Sequence, residues 1–237
     1  GGAALLDSDH QFATPEEGGW QTVAPSAIAF PGYPEPRALT TDEVRGVVKA
    51  FGAAAIRAVE AGFDLVEIHA AHGYLIHQFL SPLSNQRSDE YGGSFENRTR
   101  FMAEIAKAVR TSIPDSMPLF VRISATDWLE GGWTLEDSIE LAKILKEIGV
   151  DLIDVSSGGT SSGAPVPVGP GYQVPLAAAI KERAKIPTSA VGLITEPAQA
   201  ESIIADGKAD AVMLGREMLR NPRWPLHAAH VLGAEVQ

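Results

Sequence analysis

Apolar and polar residues follow two different periods along this chain, and the changes between them mark a series of strands and helices. From residue 41 onward, stretches with apolar residues at helical spacing are separated by short apolar stretches typical of buried strands. The five strand-like stretches are FDLVEIHA (63–70), PLFVRIS (118–124), DLIDVSS (151–157), IPTSAVG (186–192) and ADAVMLG (209–215). Regular alternation of strands and helices predicts βα units and a parallel sheet.

The helical stretches carry recognisable start signals. Thr41 is the predicted cap of the first helix, which is followed by acidic residues suited to a helix N-terminus. Ser94 is the predicted cap of the second helix, and Thr134 with Asp137 forms a capping-box pattern before the third. The remaining predicted helices lie around LAAAIKERA (176–184) and at 195–205.

Alternation within each strand distinguishes a closed barrel from an open sheet. In the first strand, Ile68 shares one face with other apolar residues, whereas Glu67 and His69 share the opposite face. The next two strands also place polar residues on one face near their carboxyl ends: Arg122, Ser124, Asp154 and Ser156. An open doubly wound sheet buries both faces and has nearly continuous apolar strands. The pattern therefore predicts an α/β fold, a (β/α)8 TIM barrel, with a site at the carboxyl-terminal rim.

The strands are too few to fill such a barrel. Eight βα units typically take about 250 residues, whereas these 237 residues contain five clear strands. Residues 1–40 are rich in Gly and Pro, so we expect an irregular loop region with at most one strand. We interpret residues 1–237 as a single domain, the C-terminal portion of a barrel. Residues 41–237 supply a helix and the last five βα units, and the first three units are absent.

Composition narrows the classes of function. The formal net charge of −11 disfavours nucleic acid as a partner, because an acidic surface repels phosphate backbones. No stretch approaches the roughly 18 apolar residues that a membrane helix needs, and no signal-peptide pattern opens the chain. With no cysteine, the chain has no disulfide, thiol nucleophile or cysteine–zinc site. We expect a cytoplasmic protein that binds neither nucleic acid nor membrane.

Three hydrogen-bonding rings follow the first strand in EIHAAHGYLIHQFLSP (67–82): His69, His72 and Tyr74. Gly73 predicts a turn that would let the rings converge on the barrel mouth. A catalytic site and a hydrogen-bonded structural corner both explain this arrangement. A zinc site of His69, His72 and His77 is a weaker alternative, because the spacing fits no standard closed site and no fourth ligand follows. We therefore expect no metal.

Two further groups are candidates for ligand binding. Arg122 faces inward, where it either pairs with a carboxylate such as Asp154 or binds an anion or an electron-rich ring. Gly192 and Gly215 each end a strand, and Arg216 follows the second. The loops after the last two strands of such a barrel often bind phosphate, so these residues predict a phosphate site. Ordinary strand-ending glycines are the alternative.

A separate polar stretch, SNQRSDEYGGS (84–94), indicates structure rather than chemistry. We interpret its polar side chains as a self-bonded surface loop with a Gly-Gly turn. The residues concerned are Asn85, Arg87, Asp89 and Tyr91.

The stretch from residue 67 to 101 resembles the old yellow enzyme family of flavin-dependent ene-reductases. The match continues through PLFVRIS, GVDLIDVSSGG, AVGLIT and VMLGREMLRNP, nearly the whole chain. The His-x-x-His form is similar to the bacterial branch called thermophilic-like or xenobiotic reductase-like. The resemblance implies a (β/α)8 barrel that holds FMN at its carboxyl-terminal mouth.

The resemblance also implies roles for single residues. His69 and His72 would bind the carbonyl oxygen of an α,β-unsaturated substrate, and Tyr74 would supply a proton to its α-carbon. Arg122 would lie beside the pyrimidine end of the flavin. The residues implied for the phosphate cradle are Gly192, Gly215 and Arg216.

By the same resemblance, NADPH or NADH would reduce the flavin, which would then reduce the C=C bond of an enone. Alternatives are a related FMN barrel that acts on dienoyl-CoA or nitro compounds, and a non-catalytic barrel fragment that serves as a scaffold. Besides the small-molecule enone, the expected partners are the missing barrel half, in the same or a separate chain, and further copies in a homo-oligomer.

Overall fold

The opening region contains two very short strands in an otherwise irregular path. The computed structural model describes residue 13 and residues 17–235. Within these, β1 (Val23–Ala24) and β2 (Arg37–Ala38) pair in parallel and form a sheet of their own. The sequence indicated at most one strand here. Neither two-residue strand joins the main sheet, so this region adds no strand to the barrel wall.

Five parallel strands in consecutive order form the main sheet. They are β3 (Val66–Ala70), β4 (Leu119–Ser124), β5 (Leu152–Ser156), β6 (Thr188–Ala190) and β7 (Ala211–Val212). Each lies inside one of the five predicted stretches, so all five predictions are confirmed. β3 and β7 are the edge strands: β3 pairs only with β4 and β7 only with β6 among residues 17–235. The sheet is therefore open on both sides.

Helices alternate with these strands. They are α1 (Thr41–Glu60), α2 (Leu75–Leu80), α3 (Phe95–Arg110), α4 (Leu135–Ile148), α5 (Val174–Ala184), α6 (Pro197–Ala205), α7 (Arg216–Arg220) and α8 (Trp224–Leu232). None of the described helices is both long and apolar enough to cross a bilayer. The sequence pattern did not predict α2 or α8.

Capping side chains fix where the helices begin. The predicted cap Thr41 is wrong by one residue, because Thr40 accepts from the Glu43 backbone N–H while the Glu43 carboxylate accepts from Thr40 N–H. Thr40 thus completes a capping box, which Thr41 could not do without an acidic or amide residue three positions later. The predicted cap Ser94 and the capping box at Thr134 are both confirmed.

The core lies between the helices and the outer face of the sheet. Strand residues of alternate position are fully buried there, for example Val121, Ile123, Ile153 and Val155. Burial of each such side chain contributes about 1.5–3 kcal/mol. The intervening residues point to the inner face, where the strand register aligns His69 with Arg122, Arg122 with Asp154, and Asp154 with Ser189. This row of polar side chains is the base of the candidate site.

Candidate active site

The rings of His69, His72 and Tyr74 lie together at the carboxyl end of β3. The His69 ring centroid lies 5.2 Å from that of His72 and 5.3 Å from that of Tyr74. The predicted turn is present, because His72 (φ 59°) and Gly73 (φ 73°) both adopt left-handed backbone angles. Two such residues in succession reverse the chain between β3 and α2 and place Tyr74 at the start of α2. The turn therefore brings together three rings that a regular strand would separate.

The turn is held against the loop that follows β5. A Cβ atom on Gly73 would lie 2.2 Å from the Gly159 carbonyl oxygen, and a Cβ on Gly159 would lie 2.4 Å from His72 Cα. The His72 backbone N–H donates to Ser124 Oγ at 2.9 Å, and Ser124 Oγ donates to the Gly158 carbonyl at 2.7 Å. Close backbone contact and these hydrogen bonds fix the position of His72 relative to β4 and β5.

The His72 ring is anchored at one nitrogen. Its Nε2 lies 2.6 Å from Ser156 Oγ. Burial, followed by the positive charge of Arg122, lowers the pKa of His72 to about 4. The same two causes lower the pKa of His69. Both imidazoles are therefore neutral at pH 7. Nδ1 of His72 has no hydrogen-bond partner among the residues that the structure describes.

The polar groups of His69 and Tyr74 form no hydrogen bond with the described part of the protein. Within the described residues, neither the His69 ring nitrogens nor the Tyr74 hydroxyl has a hydrogen-bond partner. The Tyr74 side chain is 47% exposed. Both side chains are exposed, so water or a ligand can reach their polar groups. A hydrogen-bonded corner would join these groups to the protein, and the described residues form no such bonds.

Arg122 and Asp154 form an ion pair on the inner face. Arg122 Nε lies 3.2 Å from Asp154 Oδ2, but the two are not aligned for a hydrogen bond, and Nε is buried without one. Asp154 instead accepts from Ser189 Oγ at 2.7 Å. Burial raises the pKa of Asp154, and burial with the nearby Asp154 charge raises that of Glu67. The guanidinium of Arg122 thus lies beside Asp154, and its Nε has no hydrogen-bond partner among the described residues.

The predicted phosphate residues line a cleft of about 380 Å³ beyond β6 and β7. Gly192 has a φ of 125°, and a Cβ there would lie 2.9 Å from the Tyr172 ring. Gly215 faces open space, and Arg216 forms no ion pair with any residue that the structure describes. Ser156 lines the same cleft. The cleft therefore extends from the phosphate residues to the serine that holds His72.

His77 does not join the three rings. It is fully buried, with Nε2 3.0 Å from Asp127 Oδ1 and Nδ1 accepting from the Gly73 N–H at 2.9 Å. Over the part of the chain that the structure describes, no group of three or more His, Asp or Glu side chains could hold a metal ion. Both nitrogens of His77 are used, so the alternative zinc set of His69, His72 and His77 is not assembled.

The polar stretch at 84–94 is self-bonded, as predicted, but part of it is buried. Asn85 Nδ2 donates to the carbonyls of Phe79 and Tyr91, and Arg87 forms an ion pair with Asp89. Asn85 and Tyr91 are 4% and 1% exposed, so the description as a surface loop is wrong for these two residues.

Other residues of the site were not predicted from the sequence. Gln173 donates to the Val191 carbonyl at 2.9 Å and accepts from Ser157 Oγ at 2.6 Å, so it ties the end of β5 to the end of β6. Asp127 and Thr160 support the turn from behind. All three lie in loops without periodicity. The signal that could have indicated Asp127 and Thr160 is a polar residue within the first few positions after a strand, whereas Gln173 lies 17 positions after β5 and gives no such signal.

The chain matches the model of the NADH:flavin oxidoreductase / NADH oxidase family over residues 3–235. It is 53% identical over 214 residues to the NADPH dehydrogenase of Halalkalibacterium halodurans, covering 90% of this chain and 62% of the relative. The chain therefore spans less than two thirds of the length of that relative.

Solved structures share the fold. A 2-naphthoyl-CoA reductase complexed with 2-naphthoyl-CoA superposes with a TM-score of 0.82 at 34% identity, covering 90% of this chain and 33% of the other. The old yellow enzyme homologue from Zymomonas mobilis gives a TM-score of 0.74 at 29% identity, covering 92% and 63%. These similarities confirm the predicted fold class, a (β/α)8 barrel of which this chain carries a part.

Proposed function

Because the chain belongs to the NADH:flavin oxidoreductase / NADH oxidase family, to which old yellow enzyme also belongs, we propose that it is the catalytic part of an FMN-dependent ene-reductase. The substrate class is α,β-unsaturated carbonyl compounds, with NADPH or NADH as the hydride donor. The observation that carries this proposal is the convergence of His69, His72 and Tyr74 on one side of the barrel mouth.

The residues present fit FMN. Among the described residues, the buried Nε of Arg122 lacks a hydrogen-bond partner, and the guanidinium suits the carbonyl-rich, electron-accepting end of a flavin. Gly192 and Gly215 line the cleft at β6 and β7, Gly215 leaves open space where a side chain would lie, and Arg216, with no ionic partner in the described part of the chain, could pair with a phosphate. We propose these four residues as the cofactor site.

FMN, when bound, would accept hydride from NAD(P)H and deliver hydride to the substrate's β-carbon. The two imidazoles would donate hydrogen bonds to the carbonyl oxygen, where negative charge develops. Ser157 Oγ donates to Gln173 Oε1 at 2.6 Å. Ser156 Oγ lies farther from that oxygen, at 3.3 Å, and only 2.6 Å from His72 Nε2. Ser156 is therefore best placed to donate to Nε2, which leaves the ring hydrogen of His72 on Nδ1 for the substrate.

Tyr74 would complete the reaction as the proton donor. Its hydroxyl is exposed to the mouth and has no partner among residues 17–235. A phenol is a weak acid, and a positioned weak acid suffices to protonate the substrate's α-carbon. The neutral imidazoles beside it would not compete as acids at neutral pH.

We further propose that residues 1–237 act as one domain that forms the C-terminal portion of the barrel. Three more βα units, in the same or a separate chain, would pair with the open edges of β3 and β7 and complete the barrel. We call this assembly the completed barrel. We also propose that it forms a homo-oligomer and works in the cytoplasm, where NADPH and NADH are available.

The direct test uses the purified completed barrel loaded with FMN. Under anaerobic conditions NADPH should bleach its yellow colour, and 2-cyclohexenone should restore it within the time of a normal turnover. A protein that binds FMN but is neither bleached by NADPH or NADH nor reoxidised by an enone would contradict the proposal and support a scaffold role.

A second candidate substrate class is conjugated acyl-CoA thioesters. The specific observation is the TM-score of 0.82 with a 2-naphthoyl-CoA reductase in complex with 2-naphthoyl-CoA. Reoxidation of the reduced protein by a dienoyl-CoA at least about ten times faster than by 2-cyclohexenone would favour this class. Nitro compounds, the other alternative, can be measured in the same assay.

A further inference from the structure

The two peptide groups that flank Gly73 are both clamped by side chains of α2. The Gly73 N–H, in the peptide that follows His72, donates to His77 Nδ1 at 2.9 Å, and the Gly73 carbonyl, in the peptide that precedes Tyr74, accepts from Gln78 Nε2 at 2.7 Å. The orientations of these two peptide groups determine where the His72 and Tyr74 rings point. Glycine permits many backbone conformations, and the two side-chain contacts select one of them.

The clamp is itself supported from behind. Because His77 Nδ1 accepts a hydrogen bond, the ring hydrogen lies on Nε2 and is donated to Asp127 Oδ1. Asp127 also accepts from Thr160 Oγ1 and Ser81 Oγ, both at 2.6 Å, and from the Trp133 N–H at 2.8 Å. Burial alone would raise the pKa of Asp127, but the hydrogen bonds, led by that from His77, lower it below its usual range. The carboxylate is therefore ionised and fully used.

This network joins the loops that follow three neighbouring strands. His77 belongs to the segment after β3, Asp127 to the loop after β4, and Thr160 to the loop after β5. Residues 77 and 127 have fully buried side chains, so water does not compete for their hydrogen bonds. The three loops that surround the rings therefore share one buried hydrogen-bonded junction.

We propose that His77 is a positioning residue, which through Gly73 sets the relative placement of the His72 and Tyr74 rings for proton and hydride delivery to the substrate. The inference rests on the proposed function for its catalytic consequence. It assigns to His77, the third histidine of the stretch 67–82, a role distinct from those of His69 and His72. The tautomer set by Asp127 matters here, because only a ring with an unprotonated Nδ1 can accept from Gly73.

Two substitutions separate the two contacts of His77. His77→Asn retains an acceptor oxygen where Nδ1 lies and loses the donor to Asp127. His77→Gln retains a donor where Nε2 lies and loses the acceptor for Gly73. The matched control is Asn85→Ala, which removes two buried hydrogen bonds to backbone carbonyls at the other end of α2 without touching Gly73.

The first readout is independent of activity. Hydrogen exchange of the Gly73 amide, followed in 15N-glycine-labelled completed barrel, should be about tenfold faster or more in His77→Gln than in the unmodified protein. In His77→Asn and in Asn85→Ala it should stay within about threefold of the unmodified protein. Equal exchange in the two His77 variants would overturn the clamp.

The second readout separates the half-reactions. In His77→Gln, reoxidation by 2-cyclohexenone should slow by about tenfold or more while NADPH reduction changes by less than about twofold, because only the first depends on ring placement. His77→Asn should largely restore reoxidation. If His77→Gln slows both half-reactions equally, or if Asn85→Ala slows reoxidation as much as His77→Gln does, then His77 only stabilises the fold. If the unmodified protein reduces no enone, the proposed function fails. Hydrogen exchange of the Gly73 amide still tests whether His77 holds Gly73.

Discussion

The protein itself holds the side chains at the two ends of the candidate site to different degrees. At the β3–β5 end, strands of five or six residues support side chains that the chain itself holds, as Ser124 and Ser156 hold His72. At the β6–β7 end the strands have three and two residues, α7 buries no residue, and Arg216 has no ionic partner in the described chain.

This difference indicates a division of labour. Groups held in advance can stabilise a developing charge without reorganisation, so the β3–β5 end suits the chemical step. Groups that are still open gain their order from a bound ligand, so the β6–β7 end suits anchoring of the cofactor. We therefore expect substitutions at the first end to change rates and substitutions at the second to change affinity.

The largest effect is expected at the β3–β5 end, from Tyr74→Phe. The substitution keeps the ring and removes the hydroxyl, so reoxidation by an enone should slow by about 10²-fold or more, the usual contribution of a general acid. NADPH reduction should change by less than about twofold. Stopped-flow absorbance of the flavin measures both half-reactions in the completed barrel.

The matched control is Tyr91→Phe, which removes a tyrosine hydroxyl that donates to Glu104 at 2.9 Å in the 84–94 stretch. It should leave both half-reactions unchanged. A Tyr74→Phe variant that loses both half-reactions equally would remove the proton-donor assignment.

A smaller effect is expected at the β6–β7 end, from Arg216→Gln. Loss of one charge-assisted hydrogen bond to phosphate should raise the Kd for FMN by about tenfold, with little change in the rate of either half-reaction at saturating FMN. Riboflavin lacks the phosphate, so its Kd should not change. Fluorescence titration of the FMN-free completed barrel with both flavins makes this comparison.

Arg183→Gln provides the control, since Arg183 pairs with Glu136 on the surface away from the cleft. A riboflavin Kd that rises as much as the FMN Kd would show that Arg216 does not act on the phosphate.

The smallest effect is expected from the titration of His72. Its pKa of about 4 lies below the unfolded value of 6.5. Between these values the unfolded chain binds the additional proton, so this contribution to stability is complete above pH 6.5 and is lost as the pH falls towards 4. Allowing for the part of the ring that water reaches, we expect about 1 kcal/mol less stability at pH 5 than at pH 7.

Urea unfolding of the FMN-free completed barrel at the two pH values measures this contribution. His72→Asn has no imidazole to titrate and should depend less on pH over the same range. An identical pH dependence in the variant would place the effect elsewhere.

Much of the fold follows from local patterns. Each strand of the main sheet was predicted as a short apolar stretch between helical segments, and in the first three strands a period of two also separates an apolar from a polar face; neither pattern needs knowledge of neighbours. The short helix α2 was not predicted, since six residues hold too few turns for a helical period and its entry depends on the left-handed pair at 72 and 73. The capping error at Thr41 arose from two adjacent threonines, which only the position of Glu43 distinguishes.

The candidate site also has parts that local patterns predict and parts that they do not. The convergence of the three rings and the Arg122–Asp154 pair followed from strand alternation and from Gly73. The junction at Asp127 did not, because it joins residues far apart in the chain through irregular loops. Ser81 lies 46 positions from Asp127, and His77 lies 83 positions from Thr160. Such contacts depend on how the loops meet in the folded chain.

The contact between Gly73 and Gly159 has a practical consequence for redesign of the substrate range. Any side chain at either position would collide with the opposite backbone, so a mutant library should leave both unchanged. Residues 161–167, in the same loop as Gly159, are all exposed or half-exposed, and none of them lines the cleft at β6 and β7. Randomisation of those seven residues could alter which molecules enter while leaving the catalytic apparatus intact.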